Sequence, residues 1–549
     1  MVKNLVRKGL SVVASKQSSI FNAAFLIIIT TALSQILGIL KYRLFGSYFG
    51  ASSDLGVFFA SFRIPDLLFQ IIIVGALSSA FIPVFSDHLT KRSKEDAFRF
   101  ASALTTLGLI VFTVITIIVL IFAEPLARII APEFTDDQII LLANLMRIIQ
   151  VSQFLFLIGT VFTAMLQSFS YFLIPGLANA LYNIGIIIGV YLFAPKYGIY
   201  GAAIGVVIGA FLYFAAQLPT VLSNGYFYKF KISFDNGVDQ VIKLMIPRSL
   251  TIAISQVAIT ANVVLAGIIS ARSIVIFDFA LTLMAAPIFL FGQSIAQASF
   301  PTLSKVKGNM DEFRSVFISS FNQILYLTLP ISALFIVLRI PLVRLFYGSG
   351  RFDWEATLIT GYTLALLSLS ISVQAAMLLV SRAFYALHDT KTPFIMTIIS
   401  VIVNISFSLY FVMVLSLPIY YLALSFSIGN MLGFLLMLIA LDRKITLPKL
   451  DMLISASKIV ISAFITGIAL YIPIKLLDQL VFDTTRTINL FFLTSIASAI
   501  GFGAYLFFTW LLDISEFNYI VATAKRFTFK NKIVLQIREL INDGSKLNP

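Results

Sequence analysis

The sequence predicts an all-α polytopic membrane protein with about fourteen transmembrane helices, built as two parallel six-helix repeats plus two extra C-terminal helices. Three observations carry that expectation. The 549 residues are 59% hydrophobic and only 12% charged, against about a quarter charged in a soluble domain, so the chain has too little polar surface to face water. The apolar residues fall in continuous runs of the length that crosses hydrocarbon as a helix, without the alternation of a membrane β-barrel. Landmarks of the first half also recur at a nearly constant offset in the second.

Taken in order, residues 1–21 form a cytoplasmic or interfacial N-terminus. Lys and Ser interrupt its apolar positions, so no long apolar core of a cleaved signal is present. Val2, Leu5, Val6, Leu10 and Val13 share a helical face, which predicts a short surface helix with Lys3, Arg7, Lys8 and Lys16 toward anionic membrane lipids. Spans 1–6 are read at 22–45, 56–86, 98–122, 138–167, 170–193 and 199–220, forming an N-lobe at 22–220. A cytoplasmic linker covers 221–239. Spans 7–12 lie at 240–268, 274–299, 315–338, 355–384, 393–414 and 418–441, a C-lobe at 240–441. Segments 453–476 and 487–513 make spans 13 and 14 within 453–513, and 514–549 is a basic cytoplasmic tail with Ile533, Val534, Ile537, Leu540 and Ile541 on one face. Segments longer than 25 residues must tilt, bend or project from the bilayer.

The charge distribution supports this topology. With both termini inside, 27 of the 39 Lys and Arg fall on the cytoplasmic side and 10 on the outer side, and Arg63 and Arg147 lie within spans. Arg339, Arg344 and Arg351 are the outer cluster that fits least well. The net charge of +14 is therefore read as positive-inside bias, with no nucleic-acid partner. There is no cysteine, and His88 and His388 lie far apart with no metal-ligand spacing, so no metal site and no metalloenzyme chemistry are expected.

The repeat is marked by prolines. FIPVFSDHLTKRSKEDAFRF (81–100) resembles SFPTLSKVKGNMDEFRSVF (299–317), PLARIIAPEF resembles PLVRLFYGSGRF, and PGLANALYN resembles PFIMTIISVIVN. Pro83 and Pro301 are 218 residues apart, Pro125 and Pro341 are 216, and Pro175 and Pro393 are 218. Each copy has an even number of spans, so both sit the same way up, as in transporters whose halves rock about a midplane site.

The connector SRAFYALHDTKTP (381–393) joins spans 10 and 11. Its Arg382, Phe384, Tyr385, Ala386, Asp389, Thr390, Lys391, Thr392 and Pro393 resemble a hallmark of the MurJ (MviN) family, the lipid II flippases of the multidrug/oligosaccharidyl-lipid/polysaccharide exporter superfamily. LGILKYRLFGSYFGASSD, FFASFRIPDLL with GALSSAFIPVF, KLMIPRSLTIAISQV and LFYGSGRFD are similar to other stretches of that family, and the likeness covers most of 25–440. It implies fourteen spans and a flippase, not an enzyme. The cargo would be a polyprenyl-pyrophosphate-linked cell-wall precursor, lipid II-like, moved across the bacterial cytoplasmic membrane by alternating access for peptidoglycan synthesis. Such a headgroup needs a hydrated, cation-bearing path, so a basic residue within a span is a functional suspect.

The same likeness locates the candidate site. Family members carry arginines where this chain has Gln35, Phe69 with Gln70, and Thr282, whereas Lys41 keeps a basic residue. Gln and Thr can hydrogen-bond a phosphate without neutralising it. The candidate cavity residues are Gln35, Lys41, Arg63, Arg147, Arg248, Asp278 and Thr282. The charged ones have plainer readings. Lys41, like Arg43, could snorkel to the interface, Arg63 could pair with Asp66, Arg147 could make a structural pair, Arg248 could anchor at the surface, and Asp278 could partner one of these cations. Arg382, Asp389 and Lys391 are candidate gate residues, or a helix cap ahead of Pro393. Some family members bind sodium between spans 7, 11 and 12. Asn404 and Ser408 are the candidate ligands for a monovalent ion, sodium or chloride, and no other cofactor is expected. Spans 13 and 14 would help hold a polyprenyl tail. Open alternatives are a flippase for another lipid-linked oligosaccharide and a non-transporting scaffold that kept the fold. A drug or cation antiporter is disfavoured because 20–45 contain no carboxylate.

Overall fold

A computed structural model describes residues 20–74, 81–233, 236–480 and 487–518. The expected N-terminal surface helix and most of the basic tail lie outside the described residues. Twelve described helices are long and apolar enough to cross a membrane, and a thirteenth crossing comes from the bent pair Trp354–Ser368 and Ile371–Ala386. The 30-residue helix Ile20–Phe49 coincides with the first expected span. No strand occurs among the described residues. The chain divides into two compact units, residues 20–49 with 53–257 and residues 50–52 with 258–518.

The first unit runs α1 (Ile20–Phe49), α2 (Ser53–Ser61), α3 (Arg63–Phe69), α4 (Ile82–Lys91), α5 (Lys94–Ile121), α6 (Ala123–Ile130), α7 (Asp136–Ser168), α8 (Leu173–Ile188), α9 (Ala194–Tyr197) and α10 (Ile199–Ser223). Its core is aromatic. Phe81 stacks on Phe85 and Phe100 at 5.2 and 5.5 Å, and His88 stacks on Phe100 at 5.1 Å, which gives that imidazole a packing role. Helix α8 meets α10 through glycines at four-residue spacing. A Cβ on Gly185 would lie 2.2 Å from the Cα of Gly209, and one on Gly189 would lie 2.1 Å from the Cα of Gly205. Small residues permit this backbone approach, and dispersion then holds helices together where no hydrophobic effect acts.

The second unit contains the end of α11 (Asn236–Ile269), then α12 (Ala271–Pro287), α13 (Ser294–Lys305), α14 (Met310–Val337), α15 (Arg339–Tyr347), α16 (Trp354–Ser368), α17 (Ile371–Ala386), α18 (Lys391–Leu409), α19 (Tyr420–Ile445), α20 (Lys449–Leu480) and α21 (Thr487–Leu511). Phe313, Phe317, Leu379 and Phe384 sit in its core. Helices α20 and α21 dock on α14. Tyr505 donates its hydroxyl to the Tyr326 carbonyl at 2.7 Å, and the Tyr326 and Thr509 hydroxyls bond at 3.2 Å. A cavity of about 220 Å³ lies there, lined by Phe291, Tyr326, Pro330, Thr466, Leu470 and Tyr505.

The internal repeat is visible in the element order. The π-helical turns Gln70–Val74 and Ile288–Gln293 begin 218 residues apart, and the short helices Ala123–Ile130 and Arg339–Tyr347 begin 216 apart. The helix starts correspond too. Ser93 and Asn309 cap α5 and α14, Thr135 and Asp353 cap α7 and α16, and acidic residues follow each cap. Each cap oxygen satisfies an otherwise free backbone N–H, and the acids oppose the positive end of the helix dipole. Of the segments longer than 25 residues, 355–384 bends by 40° at the break before Ile371, and π turns interrupt 56–86 and 274–299.

Candidate functional site

In the first unit, α1 presents Lys41 to α8. Its ammonium donates to the Asn183 side-chain carbonyl at 3.1 Å, 5.2 Å from the Tyr42 ring centroid and 5.9 Å from that of Tyr182. The Asn183 amide donates back to the Ser34 carbonyl and hydroxyl at 3.1 and 3.2 Å. Ser34 and Lys41 are seven residues apart, two helical turns, so they share a face of α1. Lys41 is thus held by an amide dipole and two aromatic faces. Gln35, one residue on from Ser34, lies on the exposed side of α1.

The cluster continues inward. Tyr182 packs on Phe156 at 4.9 Å and Phe156 on Phe69 at 6.1 Å. One turn along the same two helices, Gln153 donates to the Asp66 carboxylate at 3.3 Å. Asp66 is therefore tied to α7. Arg63 is half-buried at the start of α3. Phe69, at one of the positions where the family resemblance implies an arginine, also packs edge-on to Phe112 at 6.5 Å, so an apolar contact fills that place. Arg147 donates from Nε to the Leu120 carbonyl at 3.3 Å and from an Nη to Asn144 at 2.8 Å. The Leu120 bond ties α5 to α7.

In the second unit, the Thr282 hydroxyl donates to the Asp278 carbonyl of its own helix at 2.9 Å. Asp278 is half-buried, and next to it the Tyr347 hydroxyl donates to the Phe279 carbonyl at 3.1 Å. The Arg248 side chain lies outside the described residues. Asn404 and Ser408 are buried on α18, and the Asn404 amide donates to the Ser408 hydroxyl at 3.4 Å. The sequence did not single out Asn262 of α11, which donates to the Asn404 side-chain carbonyl at 3.1 Å. Its own carbonyl oxygen is buried and accepts no hydrogen bond. All three side chains are neutral, and no group of three His, Cys, Asp or Glu suited to a metal occurs among the described residues.

The connector is a clasp within the second unit. Asp389 Oδ1 accepts from the backbone N–H groups of Lys391 and Thr392, each at 3.0 Å, and Oδ2 accepts from the Thr392 hydroxyl at 2.6 Å and from the Lys444 ammonium at 2.5 Å. Burial alone raises the Asp389 pKa, but the Lys444 and Thr392 bonds outweigh it and lower the group to about 2. His388, at φ +58°, meets Lys307 at 2.7 Å. Arg382 lies 5.4 Å from the Phe300 ring centroid, and the Lys391 side chain is exposed. Asp389 thus bonds the first backbone N–H groups of α18. Arg339 lies over Tyr362 and Arg344 over Trp354. Sequence reasoning did not select Asn183, Tyr182, Gln153, Asn262 or Lys444. The signal available was polar residues inside apolar helices, which alone does not say which of them meet.

Comparison with known proteins gives a consistent answer. The family model described as lipid II flippase MurJ matches residues 45–499. A probable lipid II flippase MurJ of Borreliella burgdorferi is 27% identical over 395 residues, covering 71% of this chain and 77% of that protein. Another from Buchnera aphidicola subsp. Acyrthosiphon pisum is 26% identical over 505 residues, covering 89% and 96%. The solved structure of a lipid II flippase MurJ in an inward closed conformation superposes with a TM-score of 0.74 at 27% identity, covering 88% of this chain and 98% of that one.

Proposed function

Because this chain belongs to the MurJ family of lipid II flippases, we propose that it is a multi-pass transporter that moves lipid II across the bacterial cytoplasmic membrane for peptidoglycan synthesis. The observation that carries the reading is the family match over 45–499, which agrees with the solved MurJ structure in both sequence and fold. No covalent step is needed. The protein's task is to give a pyrophosphate-bearing headgroup a polar route through hydrocarbon, and to expose that route to one side at a time.

Lys41 is the residue we assign to phosphate contact. A cation in a membrane segment is retained at a cost of a few kcal/mol, and one bond of this one is to the neutral Asn183 amide. An anionic oxygen can add to such a cation, or displace the amide, with a net electrostatic gain. Tyr42 and Tyr182 limit its swing. Arg63 is the second candidate for phosphate contact, and Gln35 offers a neutral hydrogen bond on the exposed side of α1. Alternating access is supported by the internal repeat. Cytoplasmic termini follow from the positive-inside bias. Asn262, Asn404 and Ser408 would hold a sodium ion if one binds, since hard oxygen donors suit it and one buried acceptor stands open. With no carboxylate among them, that site would be weak.

Complementation tests the proposal. The wild-type chain is expected to rescue a strain depleted of its lipid II flippase, and Lys41→Ala to fail while accumulating normally in the membrane. Normal accumulation of the wild type without rescue would remove lipid II as the cargo.

A further inference from the structure

The segment after α10 does not run as a free aqueous loop. Residues 226–233 have no regular secondary structure and lie against α5 at Ser102 and Thr106. The backbone N–H of Lys229 donates to the Ser102 hydroxyl at 3.4 Å, and that of Lys231 to the Thr106 hydroxyl at 3.3 Å. The Tyr226 hydroxyl meets Ser102 at 3.3 Å, and the Tyr228 hydroxyl meets Thr106 at 2.9 Å. Four bonds to two hydroxyls one helical turn apart fix the register of the segment and carry it along α5 toward the apolar part of that helix. Tyr226 is buried, edge-on to Phe98 at 5.4 Å.

Apolar side chains of this segment are left uncovered: Phe227 is 64% exposed, Phe230 70% and Ile232 57%. The ridge of α5 that carries Ser102 and Thr106 continues into Ile110, Val114 and Ile117, which are exposed and face lipid in a spanning helix. Lys229 and Lys231 alternate with the apolar residues. At the foot of α5 Lys94 lies over the Phe98 ring at 5.6 Å, and Asp96 is engaged by Arg99 at 3.6 Å. Aromatic side chains interleaved with lysines at the end of a spanning helix match the chemistry of a bilayer interface, where rings sit at headgroup depth and ammonium groups reach phosphate.

We propose that residues 226–233 form a membrane-immersed anchor that binds the headgroups of anionic phospholipid. Phe227, Phe230 and Ile232 enter the acyl boundary, and Lys229 and Lys231 contact the phosphates. The assignment is independent of the cargo, so its test and the complementation test succeed or fail separately.

The chain contains no cysteine, so a nitroxide can be placed uniquely in the full-length protein at Phe230→Cys, and in a second variant at Ile232→Cys. Each is reconstituted into nanodiscs of phosphatidylcholine alone or mixed with phosphatidylglycerol. In the mixed discs both labels should be accessible to oxygen and shielded from a water-soluble nickel chelate. Adding Lys229→Gln with Lys231→Gln should raise chelate collision at least about twofold, because each lysine near an anionic surface contributes roughly a fivefold preference. Labels equally open to chelate in both lipids would overturn the proposal and make the segment aqueous. Equal shielding in both lipids would remove the anionic headgroup as the partner. Labels closed to both reagents would overturn it too, meaning that protein, not lipid, covers the segment.

Discussion

Replacing Asp389 with Asn should loosen the second unit without touching the path of the cargo. The carboxylate ties the start of α18 to the last turn of α19, through two backbone N–H groups, the Thr392 hydroxyl and Lys444. Its pKa falls from the ordinary 3.8 to about 2: burial pushes the group up, and the Lys444 and Thr392 bonds more than reverse that. A drop of that size corresponds to roughly 2.5 kcal/mol, which solvent screening at the rim of the unit reduces to about 1 kcal/mol. The sign follows from the depressed value. The stabilisation is complete above the ordinary carboxyl pKa and is lost as pH falls from about 4 toward 2. Asparagine keeps an acceptor for the two N–H groups but turns an amide donor toward Lys444, and Lys444→Met breaks the same pair from the other side. Thermal unfolding of the purified full-length protein should show each single variant less stable by about 1 kcal/mol at neutral pH, with the double variant no worse than the weaker single. At pH 3 the gap between wild type and Asp389→Asn should narrow. Additive single effects, or an Asp389→Asn protein as stable as wild type, would refute the clasp. Unchanged stability with reduced transport per folded molecule would instead restore a gate.

Other expectations are direct. Gly189→Leu must push α8 off α10, because even a Cβ would sit 2.1 Å from the Gly205 backbone; folded yield should fall, with a cost of about 3 kcal/mol or more, read by size-exclusion chromatography. Asn183→Ala should leave Lys41 without its amide partner and weaken complementation less than Lys41→Ala does, since the charge remains. Arg147→Met should lower thermal stability by about 1–3 kcal/mol through lost bonds to Leu120 and Asn144, with rescue retained. If Asn262, Asn404 and Ser408 take sodium, replacing choline by sodium should raise the unfolding temperature of the wild type and not of Asn262→Ala; no shift in the wild type would end that assignment.

The sequence by itself determined the class of molecule, the spans and the repeat. Hydrocarbon imposes a minimum apolar length, and Pro83, Pro125 and Pro175 recur as Pro301, Pro341 and Pro393; both signals are one-dimensional. Cap residues such as Ser93 and Asp353 act within one turn of themselves, so they too were open to reading. Only the tertiary structure decided which polar residues meet. Lys41 reaches Asn183 across 142 residues and Asn262 reaches Asn404 across another 142. Asp389 finds Lys444 across 55, and the segment after Gly225 finds Ser102 across more than 120. Lys41, Asn183, Asn262 and Asn404 sit in an apolar background where a lone polar side chain has many possible facings. Which one it takes depends on how neighbouring helices pack, and in membranes that packing is set by small residues and close contact between helices more than by any signal along the chain.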